Sequence, residues 1–349
     1  MSLQNRNINL DALRVFSIIG VVTLHLVGGV NTLQLSAGNR FVINVVLAIT
    51  YTAVNLFGLL SGYLKIDRPH HNASLIKIVL QTAFWCFLIA ILCILLAGQR
   101  SAGDLIKNAF PFTGDRLWYI TCYCFVFLCA PYINALAEKI SQSAYKKLLI
   151  TLAVLMSLIT TLCFKDFFHV VSNGYSAGWL IYMYLLGGYF KKYGFWNKFS
   201  KSKALIVLSI SICAIVASKY VLEIILSKVG LNTDRSWILY YYSSPLTLLN
   251  SICIFYLFVN GSWKDNAFGK VLTWLSTVSL GVYIIHAHPY SLDHILIGEK
   301  LTWVVKANPI LTLLIMIVSI IGICFGLGII EWLMRFAVSG GRWCGVQRS

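Results

Sequence analysis

Charge is what this sequence has least of. Of 349 residues only 11% are charged, and acidic residues number 12 against 28 Lys and Arg. Soluble globular chains run closer to a quarter charged. With 58% hydrophobic residues and a mean hydropathy of +0.78, a large soluble domain has nowhere to fit. The net charge of +16 invites a nucleic-acid partner, but the basic residues form no patch. They sit between apolar runs, where Lys and Arg hold short loops at one membrane face, so no nucleic-acid partner is expected. Zinc-like spacing is also missing from the ten cysteines. Cys122 and Cys124 are the closest pair, and Cys86, Cys93, Cys129, Cys163, Cys213, Cys253 and Cys324 read as small apolar packing residues. No metal site is expected. Internal repeats, linkers and low-complexity tracts are absent, as is a small-residue cleavage site after the first apolar run.

What is present is a series of apolar stretches near the length of about 20 residues that spans a bilayer as a helix. Ten can be counted, at 10–30, 41–64, 74–97, 117–137, 146–164, 176–190, 204–227, 237–260, 271–287 and 309–335. The expected fold is an all-α polytopic integral membrane protein of about ten transmembrane helices, since lipid forces each backbone to satisfy its own hydrogen bonds. Residues 1–337 are expected to form a single transmembrane domain and 338–349 a short basic cytoplasmic tail. The sixth stretch is short, with Trp179, Tyr182, Tyr184 and Tyr189 suggesting an interfacial helix; dropping it would give nine. If the N-terminus is cytoplasmic, the inner side collects 17 Lys and Arg against 10 outside, which favours both termini inside.

The first stretch carries the main chemical signal. His25 stands eleven positions after Arg14, which returns them to nearly one helix face about 16 Å apart along the axis. Ionisable residues at such depth usually face a bundle interior or a watery cavity. The plainer reading is that Arg14 snorkels to headgroups and His25 is a hydrogen-bonded core residue. Spacing alone admits both. Tyr283 and His286 share a helix face, for function or for aromatic packing. Arg116 stands beside Trp118 and Tyr119 at a membrane edge, as an interfacial anchor would. Ser61 and Gly62 read as close helix packing.

Arg14, ten residues, then His25 in the first membrane helix resembles the signature of the membrane-bound acyltransferase-3 family, with Asp11-Ala-Leu-Arg14 as its usual opening. Leu56-Phe-Gly-Leu-Leu-Ser61-Gly62-Tyr63, Arg116-Leu-Trp118-Tyr119 and Gly281-Val-Tyr283-Ile-Ile-His286 are similar to further family segments, in the right order. Gly174-Tyr175-Ser176, Trp179 and Leu186-Gly187-Gly188-Tyr189 fit polysaccharide-type members. The chain stops soon after Trp332, so the resemblance is to the stand-alone form without an added esterase-like domain.

The resemblance implies an O-acyltransferase, O-acetyl above all, of the polysaccharide-modifying type. Acetyl-CoA or another acyl-CoA would be the donor, a lipid-linked or surface glycan such as O-antigen the acceptor, and the bacterial inner membrane the location, with membrane lipid around it. Arg14 would bind the donor's phosphates in a bidentate fork. His25 would take the acceptor hydroxyl's proton or accept the acyl group itself. Arg116, His286 and Tyr283 complete the expected site, with Arg116 and His286 orienting the acceptor or holding the oxyanion. The competing class is a transporter or flippase of a small anion or lipid-linked glycan. Such proteins often show inverted repeats and Gly/Pro-broken helices in both halves, and neither is evident here.

Overall fold

The computed structural model describes residues 7–27, 35–69, 71–97, 117–195, 199–288 and 308–338, together with Gly103, Ile106 and Ser291. Arg116 and the tail at 339–349 lie outside the described residues, as do Cys93's side chain, His70 and His294. Among the described residues the principal helices are α1 (Ile8–Val27), α2 (Ala37–Thr50), α3 (Ala53–Lys65), α4 (Asn72–Ala97), α5 (Trp118–Lys139), α6 (Gln142–Ala153), α7 (Ala177–Tyr193), α8 (Lys201–Lys228), α9 (Pro245–Val259), α10 (Ala267–Ala287) and α11 (Pro309–Val338). No strand occurs among the described residues. Among the described residues eight helical spans are long and apolar enough to cross a membrane, with α2 and α3 counted as one span and α6 continuing to Leu162. The chain is an all-α polytopic membrane protein.

Two expected stretches differ in shape from their apolar runs. The stretch 237–260 is helical only from Pro245, after a 3-10 turn at Thr233–Trp237. Ser244 caps α9, its Oγ accepting from the Thr247 N–H at 3.1 Å, and Pro245 sits at the first helical turn. A proline there lacks only an N–H that the helix would leave unpaired. The sixth stretch, α7, is not an interfacial helix edged by aromatics. Trp179, Tyr182, Tyr184 and Tyr189 are all buried, the three tyrosines within an unbroken run of buried residues from Tyr182 to Phe190. The cysteines also divide. Cys86, Cys253 and Cys324 are buried as expected of packing residues, whereas Cys163 and Cys213 are exposed.

The described residues fall into two compact units. The first comprises those within 1–42, 71–118 and 262–349 and holds α1, α4, α10 and α11. Helices α1 and α10 pack along their length and run parallel. The Trp263 N–H donates to Asn9 Oδ1 at 3.2 Å at one end, Arg14 meets Ser276 further along, and His25 meets His286 near the other. Helix α11 packs on α10, with Glu331 against Gly281 and the Arg335 guanidinium donating to the Thr277 carbonyl at 3.1 Å. Glu331 is buried and accepts from Gln81 Nε2 at 2.7 Å, Trp85 Nε1 at 2.5 Å and Arg335 Nε, tying α4 and α11 together. A buried carboxylate survives only when paired and hydrogen-bonded in this way. Gly281 is required beside it, because a Cβ there would fall on the carboxylate.

The second unit comprises residues within 43–70 and 119–261. Its tightest contact is α3 on α7, where glycines let the two backbones meet. A Cβ at Gly62 would fall on the Tyr184 carbonyl, and one at Gly187 on the Leu59 carbonyl. Apolar burial drives helix association weakly in lipid, so close packing by small residues and interhelical hydrogen bonds matters more. Asn55 supplies the bonds. Its Nδ2 donates to the Tyr242 carbonyl at 2.8 Å and Ser251 Oγ at 3.1 Å, while its Oδ1 accepts from Trp179 Nε1 at 2.8 Å. One fully buried amide therefore joins α3, α7, α9 and the turn before α9.

Candidate active site

The polar residues singled out on α1 face α10 at two levels. At the lower level Asp11 Oδ1 accepts from Ser276 Oγ at 2.7 Å and from the Arg14 guanidinium at 3.3 Å. Arg14 also donates to Ser276 Oγ at 2.8 Å, so the serine hydroxyl gives its proton to the carboxylate and receives one from the cation. The Asp11 side chain is 3% exposed and that of Arg14 25%, which leaves the guanidinium partly open while its Nη1 is held. Three residues form this knot, and only Arg14 was expected in a site.

At the upper level His25 Nδ1 lies 3.0 Å from His286 Nε2, and His286 Nδ1 lies 2.6 Å from the Val282 carbonyl. A carbonyl only accepts, so Nδ1 of His286 carries the proton. In the neutral ring its Nε2 is then a lone pair. That lone pair can be met only by an N–H on His25 Nδ1, which leaves the lone pair of neutral His25 on Nε2. The backbone of α10 thus dictates the tautomer of a side chain on α1. His286 is fully buried and His25 half-buried. Tyr283 packs edge-on against His286 at 5.9 Å between ring centres and is itself buried.

The structure therefore brings together Arg14 with Asp11 and Ser276, and His25 with His286 and Tyr283. Both ring nitrogens of His286 are engaged inside the protein, which sets it behind His25. Ser276 carried a signal that went unread. It precedes His286 by ten residues, as Arg14 precedes His25 by eleven, the spacing expected of two parallel helices in contact. Glu331 and Asn55 were also unanticipated, each a single polar residue inside a long apolar run.

An imidazole pair and a held guanidinium on one helix seam offer groups for proton transfer and for anion binding. The model of the acyltransferase domain matches residues 7–329, and the chain belongs to the acyltransferase-3 family. Neither the curated proteins nor the solved structures returned a match to it.

Proposed function

We propose that this protein is an O-acyltransferase that moves an acetyl group from cytoplasmic acetyl-CoA to a hydroxyl of a lipid-linked or surface polysaccharide, in a bacterial inner membrane with both termini cytoplasmic. The carrying observation is the Val282–His286–His25 chain, which fixes the neutral tautomer of His25 and gives it a basic Nε2. His25 Nε2 takes the acceptor hydroxyl's proton as the oxygen attacks the thioester carbonyl. The C–S bond then breaks, and the same proton passes from Nε2 to the departing sulfur, so that ester and free CoA thiol leave with His25 neutral again. An imidazole is suited to both transfers because it titrates near neutrality.

Arg14 serves the other end of the donor. A guanidinium matches phosphate oxygens bidentately, and Asp11 with Ser276 fixes its direction. Along α1 the eleven-residue step places it about 16 Å from His25, a separation that the pantetheine arm bridges. Tyr283 packs on the ring of His286 and keeps it in line. Arg116 is assigned to the acceptor end on the family resemblance of its Arg-Leu-Trp-Tyr segment.

The test is transfer of labelled acetyl from acetyl-CoA in proteoliposomes of the purified protein, with lipid-linked glycan as acceptor. Transfer by the parent chain and none by His25→Gln is the expected result. Substrate moving across the bilayer without a change in mass would make the protein a transporter instead.

A further inference from the structure

The residues leading into α10 form an open cavity of about 260 Å³ lined by Ser262, Trp263, Lys264, Asn266 and Phe268. We infer that this cavity receives the adenine nucleotide end of acyl-CoA, a subsite that rests on the donor reading above. Its volume falls just under the roughly 300 Å³ at which drug-sized sites begin, suiting one base with its ribose rather than a whole coenzyme. Trp263 is 42% exposed and Phe268 56%, and their ring centres lie 6.0 Å apart. Two such rings outside the core give a purine a face to stack on, a contact that any base can make. Lys264 lines the cavity and supplies a cation for phosphate, while the neighbouring Asp265 does not line it.

Position along the helix strengthens the assignment. The cavity is fixed to the start of α1, through the Trp263 N–H to Asn9 and Gly269 beside Ile8. From Phe268 to Ser276, where Arg14 is held, is about 12 Å along α10, and from Ser276 to His286 about 15 Å more, at 1.5 Å per residue. Base, phosphates and thioester of one extended donor would thus follow in order along a single seam: aromatic cavity, guanidinium, imidazole. The alternative occupant is the lipid headgroup layer, in which Trp and Lys also gather.

The experiment uses the full chain purified in detergent. Calorimetry with CoA and with dephospho-CoA, which lacks the 3′-phosphate, is combined with transfer kinetics from acetyl-CoA and from S-acetylpantetheine, which lacks the nucleotide. Trp263→Ala should weaken CoA binding by roughly tenfold, as loss of base–aromatic stacking does. It should raise KM for acetyl-CoA in proportion, leaving kcat and transfer from S-acetylpantetheine unchanged. Trp263→Phe should retain most of the affinity. Lys264→Ala should narrow the preference for CoA over dephospho-CoA. CoA binding to Trp263→Ala within twofold of the parent, or equal losses with both donors, overturns the subsite while the donor reading stands. A parent chain that binds no CoA overturns both.

Discussion

The imidazoles of His25 and His286 meet across two parallel helices, with 3.0 Å between Nδ1 and Nε2 and ring planes inclined at 43°. His286 is in turn fixed by its own helix, one turn back, at the Val282 carbonyl. The consequence is a division of labour between two histidines that the sequence presents as equals. One has both nitrogens committed within the protein, and under the proposed function the other keeps Nε2 for the acceptor hydroxyl.

That division predicts unequal mutants. His25→Gln retains a hydrogen-bonding group but no basic nitrogen, so acetyl transfer should vanish while CoA binding persists. His286→Ala should lower kcat by about a hundredfold, the lower end of what a positioned base contributes, with KM for acetyl-CoA unchanged. His286→Gln should recover part of the loss, because its amide oxygen can accept from His25 Nδ1–H. Measuring kcat and KM separately decides the matter. A His286→Gln protein no better than His286→Ala would remove the positioning role.

Arg14, Asp11 and Ser276 predict a second contrast. Arg14→Lys keeps the charge but loses the planar fork, so CoA affinity should fall by about tenfold and be only partly restored relative to Arg14→Ala. Ser276→Ala removes one hydrogen bond to the cation and one to the carboxylate, each worth about 1.5–3 kcal/mol when a charge is involved. It should raise KM for acetyl-CoA several-fold and leave kcat alone. Calorimetry and transfer kinetics on the three variants check this; a fall in kcat for Ser276→Ala with constant KM would contradict it.

How much of this could be read beforehand follows from range. Helix positions were legible because apolar runs are local, and α1, α10 and α11 stand close to where hydropathy put them. Arg14 and His25 were legible for the same reason, as two polar residues on one face of one helix. What could not be read was any partner from another helix. The spacing of Ser276 from His286 matches that of Arg14 from His25, but it acquires meaning only once α1 and α10 lie side by side, and Ser276 is 262 positions from Arg14. Likewise α7 looked interfacial because its aromatics are amphipathic, and only the glycine contact with α3 shows that they are turned inward.

That glycine contact gives a third prediction. At Gly62 an added Cβ would strike the Tyr184 backbone, and a backbone atom cannot swing aside as a side-chain tip does. Gly62→Ala should therefore destabilise by at least the upper end of the ~1–3 kcal/mol typical of overpacking. Gly322 on α11 has nothing within 4 Å of its added Cβ, so Gly322→Ala should leave stability unchanged or slightly higher. Thermal unfolding in detergent compares the two. Equal melting temperatures would mean that α3 and α7 do not approach so closely.

The parallel course of α1 and α10 makes a prediction about the spans between them. Two spanning helices that run the same way must be separated by an odd number of crossings. Seven crossings result if both α7 and α9 traverse the bilayer, and five if neither does. A count of nine helices that omits α7 alone leaves six, which would turn α10 antiparallel to α1, against the bonds from Asn9, Arg14 and His25. Helix α7 has 17 residues and α9 has 15, roughly 25 Å and 22 Å at 1.5 Å per residue. Helices shorter than the hydrocarbon layer are accommodated by local thinning at modest cost. Single cysteines at Ser172 and Ser200 flank α7, and at Ser243 and Ser262 flank α9. In a chain cleared of its native cysteines, impermeant thiol labelling should place each pair on opposite faces, giving ten crossings. Both pairs on one face would give eight and keep α1 parallel to α10. One pair split and the other not would be incompatible with the parallel seam that holds His25 against His286.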